Sequence, residues 1–331
     1  MLQVLIGKMD VTDAVIPPIQ FDDDYESGPV KVEFSLVSLK EFKDLDGQPL
    51  QIKVGKQVWF KGLIRAYQDA NGKDVKITAY DHLFNLVKSN DEFAFQNRTA
   101  TQIMREILDR YSYPVKEMVD INVVFPLMYL EKNNAESVYE MIIIVLHESK
   151  LRTGKKYWVR FEPEGLRVFE WTPPKLIPVL GPGITNVEKK VSSENIKNRI
   201  KVVNREKNIV AFQSDGDSIR KYGPLSTVEE YGAETEAAAQ SRADSMLRVQ
   251  GLPDVSRSIE HVHSLEEQRF WSGDYIYLED PTETILGGYY IRKATYDVYK
   301  NRVVFKADLA KTAALPNKAY VPPEETQKDE G

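Results

Sequence analysis

The 331-residue chain contains no cysteine, which excludes a disulfide framework, a thiolate zinc site and a cysteine nucleophile. Histidine is almost as scarce: His82, His147, His261 and His263 are the whole supply. Long apolar runs are missing too. The densest, Met141 to Leu146, falls far short of the roughly 20 residues that a membrane span needs and reads as a buried helix segment. There is no excess of basic charge, since 44 Lys and Arg face 50 Asp and Glu for a net charge of −6, whereas a general nucleic-acid binder carries a basic surface. The chain has no G-x-S-x-G elbow, no P-loop and no G-x-G-x-x-G; Gly181-Pro182-Gly183 and Gly287-Gly288 are turn glycines rather than phosphate cradles. At the N-terminus a brief apolar run is followed at once by acids, with no small-residue cleavage site, so no secretory signal is expected.

What is present is 42% hydrophobic and 28% charged residues, the composition of a globular protein of two or three domains. From Leu2 to about Tyr80 the apolar period is that of strands. Val30, Val32, Phe34 and Leu36 alternate with Lys31, Glu33 and Ser35, so that one sheet face is buried and the other wet. Val75, Ile77 and Ala79 repeat the pattern, residues 57–69 supply a further strand pair, and Asp46-Gly47 and Asn71-Gly72 are tight-turn dipeptides. This predicts a small barrel or sandwich over residues 1–88, with Asp81 capping a short helix that plugs one open end.

From 89 to 175 the period changes to that of helices. Thr99 and Gln102 have capping-box spacing, and Ile103, Ile107, Leu108 and Tyr111 follow on one helical face. Asn134 is expected to cap a second helix, in which Val138, Met141, Ile142 and Val145 form a stripe. Ile143, Ile144 and Leu146 leave that helix little polar surface, so it should be enclosed on most sides. A hairpin around Pro163-Glu164-Gly165 completes an α+β insertion domain. The proline- and glycine-rich run from Thr172 to Gly183 marks a boundary, and residues 176–190 form a linker and leading strand. Segment 191–313 returns to β structure. Ile200, Val202 and Ile209 to Phe212 form a hairpin about residues 205–208, Ala239, Ala243, Met246 and Leu247 share one helix face, and four strands follow from Ser258. Residues 314–331, polar and proline-bearing, are expected to be a flexible tail. The fold class is α+β, mainly β.

The candidates for chemistry are few. His261 and His263 stand two apart on a strand, a spacing that points both rings to one face, yet the sequence shows no third ligand. The triple acid Asp22, Asp23, Asp24 lacks the alternating ligands of a calcium loop and reads as a solvated loop. Glu162, Glu164 and Glu170 flank a hairpin, but spacing alone does not make them a glycosidase pair. Tyr275, Tyr277, Tyr289, Tyr290, Tyr296 and Tyr299, with Phe270 and Trp271, concentrate in the last strands, where sheet packing is the first reading, a protein contact the second and a sugar platform the third. No catalytic, cofactor-binding or metal-binding residue is assigned.

The ordered set VWFKGLIRAYQD, VKITAYDHLFNLVKS, FQNRTATQIMREILDRY, SSENIKNRIKVV, the KYGPL turn, FWSGDYIYLED and GGYYIRKATYD resembles the central baseplate hub proteins of contractile phage tails. These form the late control protein D-like family, and the likeness is to its XkdQ and YqbQ type of prophage elements. It covers nearly the whole chain and rests on order and spacing; Ser193 to Arg199, with Tyr222-Gly223 downstream, is its most particular part. The resemblance implies two tube-like β-barrel domains around the insertion, so that a homotrimer presents six similar modules to a sixfold tail tube. It further implies contacts with the tail tube, tape measure, trimeric central spike and other baseplate proteins, in a virion or phage-tail-like particle assembled in the bacterial cytoplasm. The resemblance implies no stable nucleic-acid binding but a lumen that can pass DNA, and acids lining it would repel the phosphates and let the genome slide. Lys221, Tyr222 and Leu225, at the turn after the 191–225 hairpin, are the expected interface residues. A non-enzymatic structural role is the first reading; a tail-tip cell-wall hydrolase and a receptor- or carbohydrate-binding tail protein are the alternatives.

Overall fold

The strand Ile285–Val298 carries much of the architecture. Over its 14 residues it pairs antiparallel first with Tyr275–Asp280 and then with Val15–Asp24, while Val303–Ala310 runs along it from Tyr290 to Val298. From Val15–Asp24 the sheet continues through Lys31–Val37, Asp74–Asp81, Gln57–Ala70 and Pro49–Val54 to Leu2–Ile6 and Met9–Asp10, and with Val179–Leu180, Ile184–Ser192 and Asp254–His263 it has 13 strands among the described residues. The computed structural model describes residues 1–37, 44–70, 73–232, 235–280, 285–311, 316 and 318–320; the expected turn at Asn71-Gly72 and most of the tail lie outside these. The protein is mainly β, as its alternating patterns predict.

Side chains that alternate inward along these strands make one core. Trp59, Phe21, Phe60, Tyr296 and Phe305 are almost fully buried in it. Edge-to-face contacts join Trp59 to Phe21 at 5.8 Å and to Tyr296 at 5.1 Å between ring centroids, and Tyr296 stacks on Phe305 at 4.8 Å. The first and last β segments therefore share a sheet and a core, which corrects the expected division into one β domain ending at 88 and another from 191 to 313. The chain instead forms a larger unit, Met1–Val187 with Ile259–Gly331, and a smaller one, Glu188–Ser258. Alternation reports that a strand has a buried face; it does not say whose core covers that face.

The insertion has its own core. Thr99 closes the capping box as predicted, its side chain accepting from Gln102 N at 3.2 Å while Gln102 Oε1 accepts from Thr99 N at 2.9 Å. Helix Ala100–Arg110 buries Ile103, Met104, Ile107 and Leu108. Helix Val138–Thr153 buries every residue from Met141 to Leu146, the enclosure its unbroken apolar run foretold. Its cap is Ser137 rather than Asn134. Asn134 instead closes the preceding turn, with Oδ1 accepting from Glu131 N and Nδ2 donating to Tyr129 O. The short helix Leu83–Lys88 also departs from expectation, because Leu83 and Leu86 pack into this insertion core rather than into the sheet's. Strand Val115–Met118 adds a third member, parallel to Gly165–Glu170, to the predicted hairpin. Part of the expected flexible tail is held here as well: Tyr320 N donates to Glu148, its hydroxyl accepts from Tyr129 N, and Lys318 pairs with Glu140.

Asp81 receives the N–H groups of Val30 at 3.0 Å and Leu83 at 2.9 Å. It lies within the larger unit at 5% exposure, and burial pushes its pKa up to about 8 from the ordinary 3.8. Between those values the folded chain keeps a proton that the unfolded chain has released, so the stability this group contributes is full below about pH 4 and is lost as pH rises toward 8. Asp81→Asn cannot titrate. Urea unfolding at several pH values should show the variant gaining on the wild type from pH 4 to 8 and holding level above; a difference independent of pH would refute the shift.

In the smaller unit, Arg199–Asn204 is the central strand, antiparallel to Ile209–Ser214 and parallel to Ser226–Glu230. Ile200, Val202, Ile209 and Ala211 pack on Ala239, Ala243 and Met246 of helix Glu236–Gln250, the face the sequence assigned.

Candidate functional surfaces

The three successive aspartates separate, because strand geometry sends alternate side chains to opposite faces. They lie on strand Val15–Asp24 rather than in a solvated loop. Asp22 pairs with Lys293 at 2.9 Å in a partly exposed bridge. Asp24 closes a turn by accepting from Glu26 N. Asp23 points into the core, where it accepts from Ser272 Oγ at 2.6 Å and Ser272 N at 3.2 Å and faces Arg269 at 3.5 Å. Arg269 donates to the carbonyl of Trp59, and its guanidinium lies 3.7 Å from the Trp271 ring centroid. Burial pushes Asp23 up and Arg269 down, each opposed by the attraction of the other. No sequence spacing joins residues 23 and 269; only the ladder between Val15–Asp24 and Ile285–Val298 brings their neighbourhoods together.

The hairpin glutamates are ion-paired. Glu162 accepts from Lys116 at 2.6 Å and Arg160 at 2.9 Å, Glu164 shares Lys116 at 2.9 Å, and Glu170 holds Lys155 at 2.8 Å. Burial alone raises the Glu162 pKa, but the Arg160 charge and the two hydrogen bonds outweigh it and hold the group below the usual range, the reverse of what a general acid needs. Arg160 also reaches Asp274 at 2.9 Å, so the cleft that these residues line with Trp171 and Trp271 has its charges already paired. The tyrosines of the last strands follow their packing reading: Tyr289 and Tyr296 are buried, and Tyr275, Tyr277, Tyr290 and Tyr299 are half-buried.

His261 and His263 share a face of strand Asp254–His263, as their spacing requires, with exposures of 4% and 5%. His261 Nε2 lies 2.9 Å from Pro182 O, and His263 Nδ1 lies 3.3 Å from Glu267 Oε2. Burial holds the His263 pKa below its ordinary value, against the pull of Glu267. The close approach of residues 181–183 to this strand needs glycine at 183, where φ is +97° and a Cβ would meet Val262 O at 2.8 Å. Glu267 was not singled out in the sequence. The signal was there in its position four residues beyond His263, but only the turn at 264–267 shows that it folds back.

The particular segment Ser193 to Arg199 has a structural explanation in the smaller unit. Asn198, fully buried, donates through Nδ2 to Gly223 O at 2.8 Å and Ser218 Oγ at 3.3 Å and accepts from Leu225 N at 2.8 Å. It thereby fixes helix Gly216–Tyr222 and the turn after it, where Gly223 adopts φ +80°. Lys221 is exposed and lies over the Tyr222 ring at 4.9 Å, and Tyr222 and Leu225 are half-buried. Across the three-stranded sheet from its helix, Val210, Phe212 and Val228 are exposed by 56%, 49% and 63%.

This fold is that of phage tail proteins. The 43 kDa tail protein of prophage MuSo2 from Shewanella oneidensis matches 93% of this chain and 97% of its own length with a TM-score of 0.67, at 13% identity. The c3393 protein of E. coli, described as a component of the type VI secretion system with structural similarity to the T4 bacteriophage tail proteins gp27 and gp5, matches 97% of this chain and 79% of its own with a TM-score of 0.56, at 10% identity. Within that class the chain belongs to the YQBQ-like family, which matches residues 19–310. The phage-like element PBSX protein XkdQ of Bacillus subtilis (strain 168) is 25% identical over 268 residues, which are 79% of this chain and 80% of the relative. The family likeness read from the ordered motifs is therefore correct.

Proposed function

We propose that this chain is a structural subunit of a contractile phage tail or phage-tail-like particle, in which three copies form the baseplate hub between the sixfold tail tube with its tape measure and the trimeric central spike. The reading rests on the likeness to a prophage tail protein over 93% of the chain, together with family membership. The relative described as similar to gp27 and gp5 supports the hub position within the tail. Assembly gives the exposed apolar face of Val210, Phe212 and Val228 a use, since such surface is costly on a free monomer and is covered when subunits associate. The role is non-enzymatic: the glutamates most open to a hydrolytic reading are committed to ion pairs. The particle is the site of action, and the bacterial cytoplasm is the site of assembly.

Light scattering on the purified chain should give the mass of three copies of 37.9 kDa each, alone or after addition of spike protein. A monomer under both conditions would overturn the trimeric reading. Lys221, Tyr222 and Leu225 are carried forward as interface residues, and the triple alanine variant should shift the mass toward monomer. If the trimer persists, those three residues lie outside the interface.

A further inference from the structure

We propose that His261, His263 and Glu267 form a divalent transition-metal site, with zinc the ion that the donor set favours. Two imidazoles and one carboxylate suit zinc and its neighbours, and three protein ligands leave a fourth position for water or another donor. One ligand atom from each residue lies within 4.8 Å of the others. Tetrahedral zinc, with bonds of about 2.0–2.1 Å, brings ligand atoms to roughly 3.3 Å of one another, so the set must contract. The Glu267 side chain, 49% exposed, is free to move in, and its Oε2 already stands 3.3 Å from His263 Nδ1.

The surroundings orient two of the three ligands as metal sites do, by engaging the atom that is not needed for the ion. Pro182 O can only accept, so His261 Nε2 carries the hydrogen of their 2.9 Å contact. That leaves His261 Nδ1 as a lone pair, and this buried nitrogen has no hydrogen-bond partner. Glu267 Oε1 accepts from Ser264 N at 2.9 Å, which fixes the turn and leaves Oε2 toward the histidines. In His263, a residue 5% exposed, Nε2 has no hydrogen-bond partner and Nδ1 has only the 3.3 Å approach of Glu267 Oε2. Buried polar atoms are rarely left in that condition, and an ion held by the two Nδ1 lone pairs gives His261 Nδ1 and His263 Nδ1 a partner. Such a site would tie the 264–267 turn to the end of strand Asp254–His263 inside the larger unit. This inference does not depend on the hub reading.

The experiment is a titration of the metal-free full-length protein with ZnCl2 by calorimetry and with CoCl2 by visible absorption, alongside Glu267→Gln and His261→Gln. The expected result is one saturable zinc equivalent, tetrahedral cobalt bands, and an affinity reduced by about tenfold or more in each variant. Zinc should also raise the Tm of the wild type and have little effect on Glu267→Gln, and circular dichroism checks that this variant, at a half-exposed position, keeps its fold. Absence of saturable binding, or wild-type affinity in Glu267→Gln, overturns the proposal.

Discussion

Asp23→Ala should destabilise the larger unit by about 3–5 kcal/mol, because it strands Arg269 as an uncompensated charge in the core. The neighbouring positions provide the contrast. Asp22→Ala removes only a partly exposed bridge to Lys293 and should cost no more than about 1 kcal/mol. Asp23→Asn keeps an acceptor for Ser272 but not the charge facing Arg269, and should fall between the two. Urea unfolding followed by circular dichroism distinguishes these cases. Equal losses at positions 22 and 23 would show that the burial difference between adjacent residues has no energetic weight. Restoring stability in Asp23→Ala by adding Arg269→Met would show that the loss comes from the unpaired charge, since replacing both members of a buried pair with apolar groups is often neutral.

Trp59→Ala is the second large effect, again about 3–5 kcal/mol. The indole is 1% exposed and packs edge-on against Phe21 and Tyr296, which come from opposite ends of the chain. Its loss leaves a cavity at the junction of the N- and C-terminal strands, and rigid ladders on both sides limit how far that cavity can collapse. Trp59→Phe should retain a large part of the stability by keeping an aromatic ring there. The carbonyl of residue 59 still accepts from Arg269 in either variant, so the measurement reports packing rather than charge pairing. A loss below about 1 kcal/mol in Trp59→Ala would show that the two ends of the chain do not depend on a common core. Because Trp59 and Asp23 both contact Arg269, the double variant should not show simple additivity.

Much of the local structure was legible. The capping box at Thr99 and Gln102, the enclosed helix from Val138 and the hairpin over residues 199–214 each follow from contacts between residues close in sequence. The failures were of two kinds. Asn134 has a cap's chemistry and stands just before a helix, but Ser137 is nearer the first turn and Asn134 is engaged by the preceding one. The triple acid reads as wet because three carboxylates rarely enter a strand together; what buries Asp23 is an arginine 246 residues away in sequence, judged by their two numbers. The histidine pair was legible as a pair, while its carboxylate partner depended on a turn that the sequence does not specify.

The sequence by itself determined the mainly β character, the helical insertion, the lack of any thiol and, through the order of its motifs, the family. These depend on period, composition and local capping, all of which act over a few residues. Tertiary structure alone decided that the strands after Ile259 complete the N-terminal sheet, that Glu188–Ser258 stands as a separate unit, and that Asp23 meets Arg269 and Glu267 meets His263. A strand's pattern encodes which face must be buried. Its partner is settled by the whole chain's competition for buried area and hydrogen bonds, which no local stretch contains.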